Sequence, residues 1–202
     1  MHRPVVPDRD EAPDYRPALI ICAYDPADSG WDPVEDLSGE PWSPKGARTL
    51  AVAGGGAEAL AATLSTHLED RACRGLLLVG RTQRSDAFQL QLRAENRSLD
   101  GGRRLDVTGP GTARSTAPAA DMVAALHDAG LAASASSVCE GDAGSYLLYR
   151  VLSGLPDGAD TPAIGLLRAP QGQPDAAVQR AVKAAAQAMA RHLSPLPRAR
   201  PN

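Results

Sequence analysis

From residue 18 to residue 193 the chain alternates short apolar runs with longer segments whose apolar positions return every three or four residues. "ALIICAY" (18–24), "TLAVAG" (49–54), "GLLLVG" (75–80) and "AIGLLRA" (163–169) have the length and composition of strands. "GLLLVG" is apolar on both faces, as a parallel strand covered on both sides must be. "AFQLQLRAEN" (87–96) alternates apolar with polar and predicts an edge or half-exposed strand, while "AASASSV" (132–138) reads as a short strand or a loop. Helical spacing runs through "AEALAATLSTHLED" (57–70), with Leu60, Leu64 and Leu68 on one face. It returns in "AADMVAALHDAGL" (119–131), with Met122, Val123 and Leu126 together and Gly130 as the stop. "SYLLYRVLSG" (145–154) and the Ala-rich "DAAVQRAVKAAAQAMARHL" (175–193) complete the set. Strands separated by helices predict an α/β fold of three layers, a mostly parallel sheet between two helical layers.

With 202 residues, one domain is the expectation, and the pattern bounds it at 18–193. Residues 1–17 are polar and Pro-rich and predict a disordered N-terminal extension; 194–202 predict a flexible tail. Apolar residues make up 43% and aromatics only 3%, so Leu, Ala and Val must fill the interior. A net charge of −3 argues against a nucleic-acid partner. No apolar run approaches the ~20 residues needed to cross a bilayer, and the N-terminal segment has no apolar signal-like core. A cytoplasmic protein without a membrane partner is expected. Three widely spaced cysteines, Cys22, Cys73 and Cys139, suit free thiols, and four scattered histidines offer no metal-ligand spacing, so neither metal nor cofactor is expected. "AGGGAEAL" (53–60) lacks the lysine and hydroxyl of a phosphate loop and reads as a turn before a helix.

The segment "GDAGSYLLYRVLSGLP" (141–156) is a Gly-rich turn entering an apolar helix, the place where many enzymes present a nucleophile, yet its first turn offers none. "DAGSYLLYRVL" is similar to AGTYLCNYVxY, "VGRTQRSDAFQLQLRAEN" to GLAPGR…ERVAxN, and "TGPGTARSTAPAADMVAALHDAGLAASAS" to GP…STLP…ALxxAGIPAxxS. "ICAYDPADSGWDP" is similar to TGFEPFGG…NP, and "AIGLLRAP" to the strand ending GFIHVP. On these five motifs, in order, the chain resembles the type I pyroglutamyl peptidases, cysteine hydrolases that remove an N-terminal pyroglutamate from peptides. The resemblance implies that family's α/β/α fold and its tendency to form homo-oligomers.

The same resemblance marks what is missing. Where the family carries its Cys, His and Glu, this chain has Leu148, Arg168 and Gln91. Leu cannot attack a carbonyl, Arg stays protonated, and Gln has no charge to support an imidazolium. No pyroglutamyl peptidase activity is therefore expected. By the same resemblance Tyr24, Ala27, Arg81, Gln91, Tyr146 and Arg168 line the old site, which is expected to bind a small acidic ligand, a peptide end or a partner protein. Arg168, if buried, needs an anion, either a ligand or a carboxylate such as Asp142 or Glu95. The alternative is an enzyme of changed amide chemistry with Cys139 as a relocated nucleophile, helped by Glu140, Asp142 or His127. Against it, neighbouring carboxylates disfavour a thiolate, so Cys139 is expected to be an unreactive loop residue. Ser145 is expected to cap the helix.

Overall fold

The computed structural model describes residues 14–24, 41–52, 55–155, 158 and 160–193. The segments expected as loose ends fall almost entirely outside these residues, as does Ala27. Among the described residues, eight strands and four helices follow in the order β1 (Ala18–Ala23), β2 (Arg48–Ala51), α1 (Ala57–Glu69), β3 (Cys73–Thr82), β4 (Phe88–Gln91), β5 (Arg93–Glu95), β6 (Thr112–Arg114), α2 (Ala119–Asp128), β7 (Ala133–Ser136), α3 (Ala143–Ser153), β8 (Ala163–Pro170) and α4 (Asp175–Ala190).

Six strands form one sheet in the order β2-β1-β3-β8-β4-β7. The first four run parallel, β4 lies antiparallel to β8, and β7 is parallel to β4. The sheet is thus mostly parallel, with a reversed pair at one side. Side-chain alternation along its strands divides the core in two. Leu19, Ile21, Leu77, Val79 and Leu167 face α2 and α4, whereas Ile20, Cys22, Leu76, Leu78, Ile164 and Leu166 face α1 and α3. Burial on both faces explains why the central strands carry continuous apolar runs.

One prediction is corrected by the topology. "AFQLQLRAEN" is neither a single strand nor at the edge: β4 is interior, between β8 and β7, and the chain breaks from the sheet at Leu92. Leu92 still bonds Ser136 across to β7, but β5 then pairs with β6 in a separate two-stranded ribbon. The polar residues Gln89 and Gln91 mimicked solvent exposure, yet Gln91 is only 2% exposed because its face meets a polar interior. The edge is β7, the segment read as strand or loop. Residues 115–117 extend the cover of β8 beyond the end of β4: the backbone of Thr116 and Ala117 donates to Ile164, and the Thr116 hydroxyl joins Pro162 to Ile164.

The stop predicted for the second helix is present. Gly130, at φ 74°, donates to His127 and Leu131 donates to Leu126, so the left-handed residue lets the chain turn and saturates the last carbonyls of α2.

Candidate functional site

At the carboxyl ends of β1, β3 and β8, on the side covered by α3, polar side chains gather around one guanidinium. Ile164, Leu166 and Arg168 share a face of β8 by alternation. The first two meet the apolar core, and Arg168 comes next, where the strand reaches the start of α3. Its side chain is 1% exposed. A guanidinium so far from water is tolerated only if its donors are matched and its charge is paired.

Both conditions are met from within the chain. Nη1 and Nη2 of Arg168 donate to the two carboxylate oxygens of Asp142 at 2.7 and 2.8 Å, a two-pronged, charge-assisted pair. Nε donates to the Gln91 side-chain oxygen at 2.8 Å. The remaining donors meet the Ser145 hydroxyl at 3.2 Å and, at 3.4 Å, the Tyr24 hydroxyl and the Arg81 carbonyl. Gln91 uses its amide in turn, donating to the Arg93 carbonyl and the Ser145 hydroxyl. Glu140 stands 3.6 Å from Arg168 Nε and accepts a 2.6 Å bond from Thr82.

Asp142 has a second task. Held in extended conformation, it is the N-cap of α3, and its Oδ1 accepts the backbone N–H of Ser145 at 3.0 Å. The expectation that Ser145 caps this helix is therefore corrected: the cap is Asp142, and Ser145 turns its hydroxyl into the cluster. Burial alone would raise the Asp142 carboxyl, but the bonds from Arg168 and Ser145 prevail and hold it below the ordinary carboxylate range. Burial likewise disfavours the Arg168 cation, and Asp142 more than offsets it, so Arg168 is more firmly protonated than a free arginine.

Tyr24 fills the space above the cluster. A methyl group added to Gly144 would overlap the Tyr24 hydroxyl, and one added to Gly80 would overlap its ring. Glycine at both positions lets the aromatic side chain lie against β3 and the first turn of α3. What is left open is small. A recess bordered by Glu95, Cys139, Glu140, Asp142, Ser145 and Tyr146 has a cavity volume of about 20 Å³, the room of one water molecule. Among the described residues no group of three or more His, Cys, Asp and Glu side chains is placed to hold a metal ion.

No protein-family model and no curated protein sequence matches the chain. Solved structures do. Pyroglutamyl peptidase I from Bacillus amyloliquefaciens superposes with a TM-score of 0.68 at 16% identity, over 87% of this chain and 98% of that one. Pyrrolidone carboxyl peptidase from Thermus thermophilus gives 0.60 at 19% identity, over 84% and 98%. A mutant of the enzyme from the hyperthermophile Pyrococcus furiosus gives 0.65 at 16%, over 88% and 100%. The chain has the pyroglutamyl peptidase fold.

Within the pyroglutamyl peptidase fold, the structure joins some of the expected residues and separates others. Gln91, Arg168 and Tyr24 converge, and Tyr146 borders the recess. Leu148 is fully buried among the apolar side chains between α3 and the sheet. The Arg81 side chain turns toward α4, donating to the Gln173 carbonyl and standing 3.7 Å from Asp175; only its backbone oxygen meets Arg168. Glu95 pairs with Arg97, so of the two internal carboxylates considered for Arg168 it is Asp142 that serves. His127 bonds the Ala133 carbonyl at the α2–β7 turn, apart from Cys139, whose thiol donates to the Arg93 carbonyl. Burial and the nearby Glu95 raise the Cys139 thiol above its ordinary value. Sequence reasoning missed Thr82 and the inward turn of Ser145. The aspartate of "DAGS", three residues before the serine, was the available signal for the cap.

Proposed function

We propose that this chain is a pyroglutamyl-peptidase-like protein without peptidase activity, whose old site works as a docking point for the amino end of a peptide or partner protein. One observation carries the reading: the guanidinium at the position resembling the family's His is already bonded on both prongs to Asp142 and on Nε to Gln91. An acidic small molecule would have to displace that internal carboxylate and would gain no unpaired donor. With Arg168 matched by Asp142 and Arg97 by Glu95, Glu140 leaves net negative charge at the recess. A recess the size of one water and acidic in lining suits an ammonium group better than a carboxylate.

The side chains present support a reading without peptidase activity. Nothing at 91, 148 or 168 attacks, accepts a proton or stabilises an imidazolium, and Cys139 is biased toward the unreactive thiol. The test is hydrolysis of a fluorogenic pyroglutamyl amide by the purified protein beside Cys139→Ala. The expected result is no turnover above buffer in either. Turnover that disappears in the variant would overturn the reading and assign the nucleophile to Cys139. A titration with short peptides whose amino end is free or acetylated, followed by amide chemical shifts of Glu140 and Asp142, tests the docking half: only the free amine should produce shifts.

A further inference from the structure

At the far end of the sheet from this cluster, the C-terminal turns of α1 and α3 border a larger space. Its volume is about 510 Å³, within the range of small-molecule sites. Leu68 from α1, Val151 from α3 and Leu155 beyond α3 form its apolar wall, together with Cys73 and Pro162. Burial pushes the Cys73 thiol up to about 11, so it contributes a neutral surface.

Of the charged side chains that border this space, Glu69, Arg71 and Asp160 are exposed, and Arg74 is the one withdrawn from water without a matched partner. Arg74, at the start of β3, is 12% exposed. Its Nη1 reaches the Asp160 carbonyl at 3.4 Å and the Asp160 carboxylate only at 3.8 Å, and that carboxylate is 79% exposed. Its Nε is buried and bonds nothing among the described residues. A buried donor left unbonded costs about 1–3 kcal/mol. Arg168 shows how the same chain satisfies a buried guanidinium when no outside group is needed: two prongs on one carboxylate and an amide on Nε.

We propose that this cavity binds a small amphipathic carboxylate, its acid group on Arg74 and its apolar body against Leu68, Val151 and Leu155. One under-bonded guanidinium matches a single carboxylate, and the apolar wall gives no reason for a ligand that is charged throughout. The site is separate from the Arg168 cluster and does not depend on the function proposed for that cluster.

The experiment is a calorimetric titration of the full chain with sodium octanoate, 1-octanol and inorganic phosphate, with methyl spectra recorded in parallel. Octanoate should bind and shift the methyl signals of Leu68, Val151 and Leu155. Octanol and phosphate should each bind at least tenfold more weakly, and Arg74→Gln should weaken octanoate at least tenfold. Should Arg74→Gln fail to fold, Ser65→Trp, which fills the cavity from α1, should abolish binding. The proposal is overturned if octanoate does not bind the folded protein. It also falls if octanol or phosphate binds as well as octanoate, or if octanoate binds either folded variant undiminished.

Discussion

At the scale of single residues, the Arg168–Asp142 pair is a structural joint between the end of β8 and the start of α3. Asp142→Asn keeps a competent helix cap while removing the charge, so it isolates the ion pair. Stranding a buried partner costs about 3–5 kcal/mol, and because Asp142 is 36% exposed the loss at pH 7 should be near the lower figure, about 3 kcal/mol by urea unfolding. The pH dependence has a definite sign. A carboxyl lowered by folding stabilises fully above its unfolded value of about 3.9, and the benefit drains away as pH falls through the lower folded value. Wild type and variant should therefore converge in stability below about pH 4. A thiol titration checks the cysteines. Burial pushes Cys22 up to about 12 and Cys73 up to about 11, so in folded protein at pH 7.5 a disulfide reagent should modify only Cys139, slowly, and all three after unfolding.

At the scale of elements, the seating of α3 against β3 depends on two missing side chains. Gly144→Ala would ordinarily favour a helix, yet here its methyl overlaps the Tyr24 hydroxyl, and overpacking of this kind costs about 1–3 kcal/mol. In a Tyr24→Ala background the same substitution should become neutral or stabilising, a reversal that a double-mutant cycle in urea would read directly. The hydrophobic pattern carried the helices and central strands because each buries a long apolar stripe, and that is why their order was legible. It failed at β4, where Gln91 looks outward in sequence and points into a buried polar cluster in space. The pairing of Arg168 with Asp142 was only half legible. Sequence demanded an anion for a buried arginine, but the choice between ligand and Asp142 rests on the approach of the α3 start to the end of β8, a contact across 26 residues.

At the scale of the whole molecule, the sheet separates two cores that share little besides the backbone between them. Leu76 and Leu77 are neighbours in the chain, yet one faces α1 and α3 and the other faces α2 and α4. Truncating either to Ala should cost about 2–5 kcal/mol. With the sheet between their side chains, the two losses should add to within about 0.5 kcal/mol in the double variant, as measured by denaturant unfolding.

The position of β8 bears on how the chain is made. It is the last strand among the described residues, Ala163–Pro170, yet it lies in the interior of the sheet and pairs with β3 on one side and β4 on the other. During synthesis from the N-terminus, every other strand emerges before it. Until it arrives, the run Leu76–Val79 offers an unpaired apolar edge, the kind of surface that recruits chaperones or neighbouring nascent chains. β8 thus closes the sheet, and a chain interrupted before residue 163 would carry two raw edges, one on β3 and one on β4, open to aggregation.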